Sequence, residues 1–388
     1  HGQALRCHYL FRAGCRKSLE AQRPFPGPLF VFQGARLADL PQSWVTRLGR
    51  AFTPRPQRLN LALQGGGAHG AFTWGVLDAL LAQTHMGFEG ISGTSAGAIN
   101  AVLLAEGWRK GGRDGAREAL NRFWSALGDN PAMRLLVQGS GDSMGISSTG
   151  KFLMQWAGMF SPTQLNPLDL NPLRSLLNQH VDFEALRANC PFKLFIAATQ
   201  ANSGKVRLFR ETELTSDMLL ASACLPKIHR AVLIDGEPYW DGGYSANPAV
   251  YPLFYDCDSR DILLVLLSPL EHDTTPRSAE QISERALELA FSANFMREMR
   301  MFADAIRFAS ASLMRMGRLE RRLRALRFHM VDTSSQASLA RSDTKVLAHG
   351  PFLQRLRAQG RACGNAWIEE HGHAVGRSPT LELHHHFA

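Results

Sequence analysis

The apolar positions fall into two kinds of run. Short ones read as strands: Leu59 to Gln64, Phe88 to Ser92, Lys193 to Thr199, Val206 to Phe209, Ala231 to Ile234, Asp261 to Ser268 and Arg327 to Val331. Longer ones repeat every three to four residues and read as helices. In Phe72 to Leu81 the side chains of Val76, Leu77, Leu80 and Leu81 share one face, and Ala98 to Ala105, Ser278 to about Arg324 and Phe352 to about Glu370 follow the same rule. Between Arg113 and Leu186 the pattern is helix-rich and broken at Pro162, Pro167 and Pro172. The longest apolar stretches, such as Ile262 to Leu267, are strand-sized, well short of the ~20 apolar residues that a membrane-spanning helix requires.

Strand, glycine turn and helix occur twice in succession after Leu59, which argues for parallel strands joined by helical crossovers. One mixed α/β domain is expected over residues 59–371. Residues 1–58 form a basic leader rich in Pro and Gly, with one short strand expected at Leu29 to Phe32. Residues 372–388, with His384, His385 and His386, read as a C-terminal tail.

Charge sharpens this division. The chain carries a formal +9, but the leader alone holds ten Arg or Lys against Glu20 and Asp39. The folded remainder is therefore nearly balanced, and the basic character is no argument for nucleic-acid binding. The leader lacks the compact apolar stretch and small-residue cleavage site of a secretory signal. The six cysteines are scattered without metal-binding or redox spacing. They suit idle thiols in a reducing compartment, so a cytoplasmic location is expected.

Three clusters carry chemistry. Gly93-Thr94-Ser95-Ala96-Gly97 fits G-x-S-x-G with a strand before it and a helix after it, the setting of a nucleophile elbow. There Ser95 would stand in a strained turn, its hydroxyl near the positive end of the helix dipole. Gly65-Gly66-Gly67-Ala68-His69-Gly70 follows the first strand. Its bare amides could cradle either a developing oxyanion or a pyrophosphate. A dinucleotide fold wants an acid at the end of the second strand, whereas Glu89 lies near its start. His69 is expected as a polar side chain beside the anion site. Further on, Asp235-Gly236 reads as the tight turn of a hairpin, and Asp241 stands past its second arm, before Gly242-Gly243, as a carboxylate able to face a cleft.

Taken together, Gly65 to Gly70, Gly93 to Gly97 and Asp241 to Gly243 resemble the ordered motifs of the patatin-like phospholipases. Leu61-Ala62-Leu63-Gln64, Ala221-Ser222-Ala223-Cys224-Leu225-Pro226 and Tyr239-Trp240 extend the likeness over most of Leu59 to Glu370. The resemblance implies a patatin-like α/β sandwich around a mainly parallel sheet flanked by helices. It implies a serine hydrolase acting on acyl esters of phospholipids or related lipids, with Ser95 as nucleophile and Asp241 as base. Gly65, Gly66, Gly67 and Ala68 would form the oxyanion hole, supported by Gly70, Gly93, Gly97, Gly242 and Gly243. It implies no metal and no cofactor. Two departures stand out: His69 replaces the Arg or Lys common before the last glycine of the first motif, and Lys227-Ile228-His229-Arg230 replaces an apolar run after Leu225-Pro226. Those charges are expected near the substrate entrance.

Other readings remain open on the residues. An α/β-hydrolase triad could use His329 or His349, which follow Asp241 in the chain. A non-enzymatic lipid-binding protein or a nucleotide-binding module could use the same glycine turns. For contact with a membrane surface, Phe291 to Arg327 offers nine Arg against three acids among Phe, Met and Leu, the composition of a basic amphipathic helix.

Overall fold

The computed structural model describes residues 57–129, 137–139, 145–148, 150, 160–272, 274–311, 317–331, 333–334, 336, 338–339 and 342–388. The leader and its expected strand lie outside the described residues. In chain order the elements are β1 (Gln57–Leu63), α1 (Gly70–Leu81), β2 (Met86–Thr94), α2 (Ala96–Gly128), β3 (Val137–Gln138), β4 (Gly145–Ile146), α3 (Pro162–Leu165), α4 (Pro172–His180) and α5 (Phe183–Ala188). Then follow β5 (Lys193–Gln200), β6 (Val206–Arg210), α6 (Ser216–Ser222), β7 (Val232–Ile234), β8 (Glu237–Asp241) and α7 (Tyr251–Asp256). The last are β9 (Asp261–Val265), α8 (Ala279–Ala311), α9 (Arg318–Arg324), β10 (Arg327–Met330), α10 (Gly350–His371) and α11 (Leu383–Phe387).

The central sheet runs β10-β9-β1-β2-β5-β8-β7, with β6 on β5. From β10 to β5 every pairing is parallel; β6, β7 and β8 pair antiparallel. Both faces are covered, which is why the parallel strands read as continuous apolar runs. Leu61, Leu63, Leu263 and Val265 pack toward α1, α2 and α10. The alternate positions Ala62, Ile262 and Leu264 pack toward α7 and α8. This is the mixed α/β architecture, mostly parallel and flanked by helices, that the alternation predicts.

The structure departs from expectation in four places. The helix expected to stop at Ala105 runs on as α2 to Gly128, bending where Gly112 takes φ 58°; the polar residues after Ala105 hide that continuation. The strand expected to reach Ser268 ends at Val265, because Gln64 Oε1 accepts the N–H groups of Leu267 and Ser268. The long pattern after Ser278 divides into α8 and α9; Phe295, Met299 and Phe302 are buried against β9 and β10, while Met301, Phe308 and Leu319 are exposed.

The fourth departure corrects the expected tail. Thr380 and Leu381 donate their N–H groups to Phe328 O on β10, and Leu381, Leu383 and Phe387 are buried in the same apolar cluster as Phe295. Asp261 ties this segment down. Its carboxylate accepts from Arg327, His329 and the Gly376 N–H, and His329 also meets Thr380 Oγ1. Burial alone would raise the Asp261 pKa, but Arg327, His329 and Gly376 together hold it down to about 2. Three apolar side chains in a short polar segment are too sparse a pattern to read from sequence.

Candidate active site

Ser95 stands where β2 ends and α2 begins, with φ 53° and ψ −121°. A non-glycine residue held at positive φ is strained, and the surroundings must enforce it. Here they do. The Ser95 N–H donates to Ser222 Oγ at 2.9 Å, and Ser95 O accepts from Ile99 N at 3.1 Å as α2 opens. The small neighbours are needed because backbones cross closely: a Cβ on Gly97 would lie 2.2 Å from Leu63 O, and one on Gly93 would lie 2.6 Å from Gly97 O. Ser95 itself is half-buried among buried neighbours.

Asp241 ends β8 and is almost fully enclosed, 1% exposed. Its position follows from the pairing on β5. One edge of β5 is taken by β6, so β2 and β8 share the other; Thr94 pairs with Ala197 and Asp241 with the next residue, Ala198. The backbone is clamped, its N–H to Cys224 O at 2.8 Å and its carbonyl to Thr199 Oγ1 at 2.8 Å. Of the carboxylate oxygens, Oδ1 accepts the Gly243 N–H at 2.8 Å, and the Ser95 side chain lies near enough to lower the carboxyl's pKa. Gly242 lies so close to β5 that a Cβ would sit 2.2 Å from Ala197 O; one on Gly243 would strike the Phe291 ring. Burial pushes the Asp241 pKa up to about 7, against the Gly243 hydrogen bond and the Ser95 side chain that lower it.

The hairpin leading to Asp241 is the expected one. Asp235 and Gly236 sit at φ 51° and 83° between Ile234 and its partner Glu237, so Asp235 shapes the turn.

The glycine loop joins the site from β1, the strand next to β2. Gly65 touches the serine directly: a Cβ there would lie 2.9 Å from Ser95 Cβ and 2.8 Å from Thr94 O. Its N–H, however, is donated to Asn247 Oδ1 at 2.8 Å. Gly65 therefore supplies closeness, not the free donor expected of it, and the expected oxyanion donors narrow to Gly66, Gly67 and Ala68. Gly67 has φ 57°, with Lys345 O so near that only hydrogen fits on its Cα. Gly70 packs on Ala96 and Trp124.

His69 is also corrected. It does not flank an exposed anion site but is fully buried, its Nε2 2.7 Å from Thr344 Oγ1 and its ring against Phe352. Burial, and then the charge of Lys345, lower its pKa to about 3, so it is a neutral packing residue near pH 7. Glu89 is structural as well: it accepts the N–H groups of Asp258 and Ser259 and pairs with Lys193. Two residues at the site carried no signal of their own, Ser222 and Asn247. The first lies inside the Ala221–Pro226 text of the resemblance; the second follows the Asp-Gly-Gly motif by a few positions, with nothing local to mark it.

A histidine triad finds little support in this geometry. Among the described residues no histidine is hydrogen-bonded to Ser95 or to Asp241. His329 is held by Asp261 and Thr380 on β10, three strands across the sheet from β2, or roughly 14 Å at the usual strand spacing.

The sequence profile of the patatin-like phospholipases matches residues 61–254, spanning every motif described above. The chain belongs to that family and, with it, to the lipid acyl hydrolases. Among solved structures, VipD from Legionella pneumophila is similar at 13% identity and a TM-score of 0.34, over 79% of this chain and 68% of that one. The type III effector protein ExoU is similar at 19% identity and a TM-score of 0.29, over 82% of this chain and 53% of that one. The chain thus spans about half of ExoU, and at these scores neither likeness adds to the family match. No curated protein sequence matches the chain. No helix among the described residues is long and apolar enough to cross a membrane.

Proposed function

We propose that the protein cleaves acyl ester bonds of phospholipids or related lipids through Ser95 and Asp241, by way of an acyl-enzyme. The observation that carries this reading is the juxtaposition of a strained, reachable serine with a buried carboxylate whose pKa lies near 7. A base poised near the working pH is ionised often enough to accept a proton and basic enough to want it.

In the forward step Asp241 takes the hydroxyl proton as Ser95 Oγ attacks the ester carbonyl carbon. Negative charge grows on the carbonyl oxygen, where the N–H groups of Gly66 and Gly67 and the N-terminal end of α2 would meet it. Collapse breaks the ester bond, and the leaving alkoxide takes the proton from Asp241. Water then enters, gives its proton to Asp241, and attacks the acyl-serine; breakdown of the intermediate passes that proton from Asp241 to Ser95 Oγ, releasing the fatty acid and restoring both groups. The Gly243 N–H keeps one carboxylate oxygen fixed throughout, leaving the carboxylate aimed rather than free to rotate.

The test is hydrolysis of a panel of phospholipids and neutral glycerides by the purified chain beside its Ser95→Ala variant, with products identified by mass. Free fatty acid and lysolipid from the first, and none from the second, is the expected result. Equal release from both would overturn the assignment, and release from neither would leave a lipid-binding member without chemistry.

A further inference from the structure

Beside the dyad lies a cleft of about 410 Å³, lined by Pro162, Asn166 and Leu170 on one wall and by Cys224, Arg230 and Leu233 on another. Its link to the site is direct, since the carbonyl of buried Cys224 accepts the Asp241 N–H. Around the cleft, large apolar side chains point into water: Leu168 is 78% exposed, Leu170 68%, Leu233 68% and Ile228 52%. Here they gather at the tips of three segments that border one cleft. Solitary exposed leucines need no explanation, but a cluster rimmed by polar groups marks a surface that meets something.

The loop holding Leu168 and Leu170 is built to keep them outward. Asn166 clamps it at both ends, its Nδ2 donating to Leu170 O at 2.9 Å and its Oδ1 accepting Leu170 N–H at 3.0 Å. Asp169, between the two leucines, is held at φ 51°. Before it, Ser161 and Gln164 cap α3 reciprocally, and Arg230 Nη2 reaches across to Thr163 O and Pro167 O, strapping this loop to the Lys227–Arg230 segment. Leu233 is carried by β7, the last strand of the sheet. A loop this firmly pinned does not fold its leucines back on themselves to escape water.

We propose that this leucine-tipped rim is the face by which the protein docks on a phospholipid surface, so that a lipid leaving the bilayer meets the dyad through the adjoining cleft. The proposal rests on the reading of Ser95 and Asp241 as a lipid hydrolase, because that reading places the substrate in an interface. The side-chain chemistry favours lipid as the occupant. Apolar tips lie beside exposed Lys227 and half-buried Arg230, so leucines can enter the acyl boundary while the cations stay at headgroup level. Asp169, Asp235 and Glu237 share this part of the surface, and Arg174 is taken up by Asp217. The face is therefore not strongly cationic, and apolar insertion drives docking, with a modest gain from anionic lipid.

The experiment measures co-sedimentation with phosphatidylcholine vesicles, with and without a minority of phosphatidylserine, using Ser95→Ala protein so that the vesicles stay intact. Adding L168D and L170D to that protein is expected to weaken partitioning on the order of a hundredfold. Leu233→Asp alone, on a separate strand, is expected to weaken it about tenfold. In the active background, Leu168→Asp alone, outside the cleft lining, is expected to leave turnover of a soluble short-chain nitrophenyl ester within about twofold while hydrolysis of vesicle phospholipid falls about tenfold; the soluble ester also reports that the fold survives. Unchanged partitioning in both variants overturns the proposal. So does a change from dimer to monomer in sedimentation with vesicle binding intact, which would make the rim a contact between copies of the chain. If the chemistry is what fails, wild-type protein turns over neither substrate, yet vesicle binding still depends on Leu168 and Leu170.

Discussion

Thr94 and Asp241 occupy consecutive positions on one edge of β5, paired with Ala197 and Ala198. This register, and not any local motif, brings the Ser95 hydroxyl to the Asp241 carboxylate. β8 continues the edge that β2 leaves at the elbow, so the strand that delivers the serine and the strand that delivers the acid meet end to end. A side chain that only shapes this junction is then as consequential as the proposed dyad itself.

Gly65 and Asn247 test that statement. Gly65→Ala would force a methyl group to within 2.9 Å of Ser95 Cβ, displacing the serine or the loop. Turnover is expected to fall on the order of a hundredfold, with circular dichroism and cooperative unfolding retained. Asn247→Ala removes the acceptor for the Gly65 N–H, 2.8 Å away. It is expected to cost about tenfold in kcat/KM and about 1 kcal/mol in stability, measured by ester turnover and urea unfolding.

In the proposed mechanism Asp241 sets the pH dependence. With Asp241 near 7, burial being the cause, the ionised form that accepts the serine proton dominates only above that value. We expect kcat/KM to rise through about pH 7 and level off above it. A profile already flat from pH 5 to 8 would contradict the assignment of Asp241 as base.

The same group ties activity against stability. Its folded pKa lies above its ordinary value of 3.8. Below about pH 4 the group is protonated in both folded and unfolded chains, and its full contribution to stability is present. As pH rises the unfolded chain ionises first, and the contribution is lost through about pH 7. Asp241→Asn is therefore expected to be inactive yet to unfold several degrees higher than wild type at pH 8, roughly 2–4 °C per kcal/mol. The difference should close by about pH 4, which scanning calorimetry at the two pH values would read.

The Asp261 cluster makes the opposite forecast. Its carboxylate is held down to about 2, so the stability it contributes is complete above about pH 4 and is lost as pH falls toward 2. Asp261→Asn leaves Arg327, His329 and the Gly376 N–H without their anion. It is expected to cost about 3 kcal/mol at pH 7 and to make residues 376–388 exchange amide hydrogens faster, while ester turnover changes little.

Much of this fold is legible from alternation and punctuation. β1 and β2 read correctly because strands buried on both faces need apolar residues at every position, and the glycines that follow them are required by backbone crossings that tolerate no Cβ. What was not legible depends on distant partners. Gly65 looks like any oxyanion glycine until Asn247, far along the chain, takes its N–H. His69 looks like a site residue until α10 buries it against Phe352. Ser222 holds the elbow open from α6 by one hydrogen bond, and one serine in an apolar helix gives no sign of that. The C-terminal segment reads as a tail because its contact with β10 uses two backbone donors and three side chains, too few to make a pattern.

The most direct measurement is the rate at which a fluorophosphonate probe labels the chain, followed by mass across pH in wild-type and Asp241→Asn protein. We expect a single adduct on the peptide containing Ser95, its rate rising through about pH 7, and labelling slowed by several orders of magnitude in the variant. Labelling of Ser95 that proceeds as fast without the Asp241 carboxylate, or an adduct on another residue, would contradict the account.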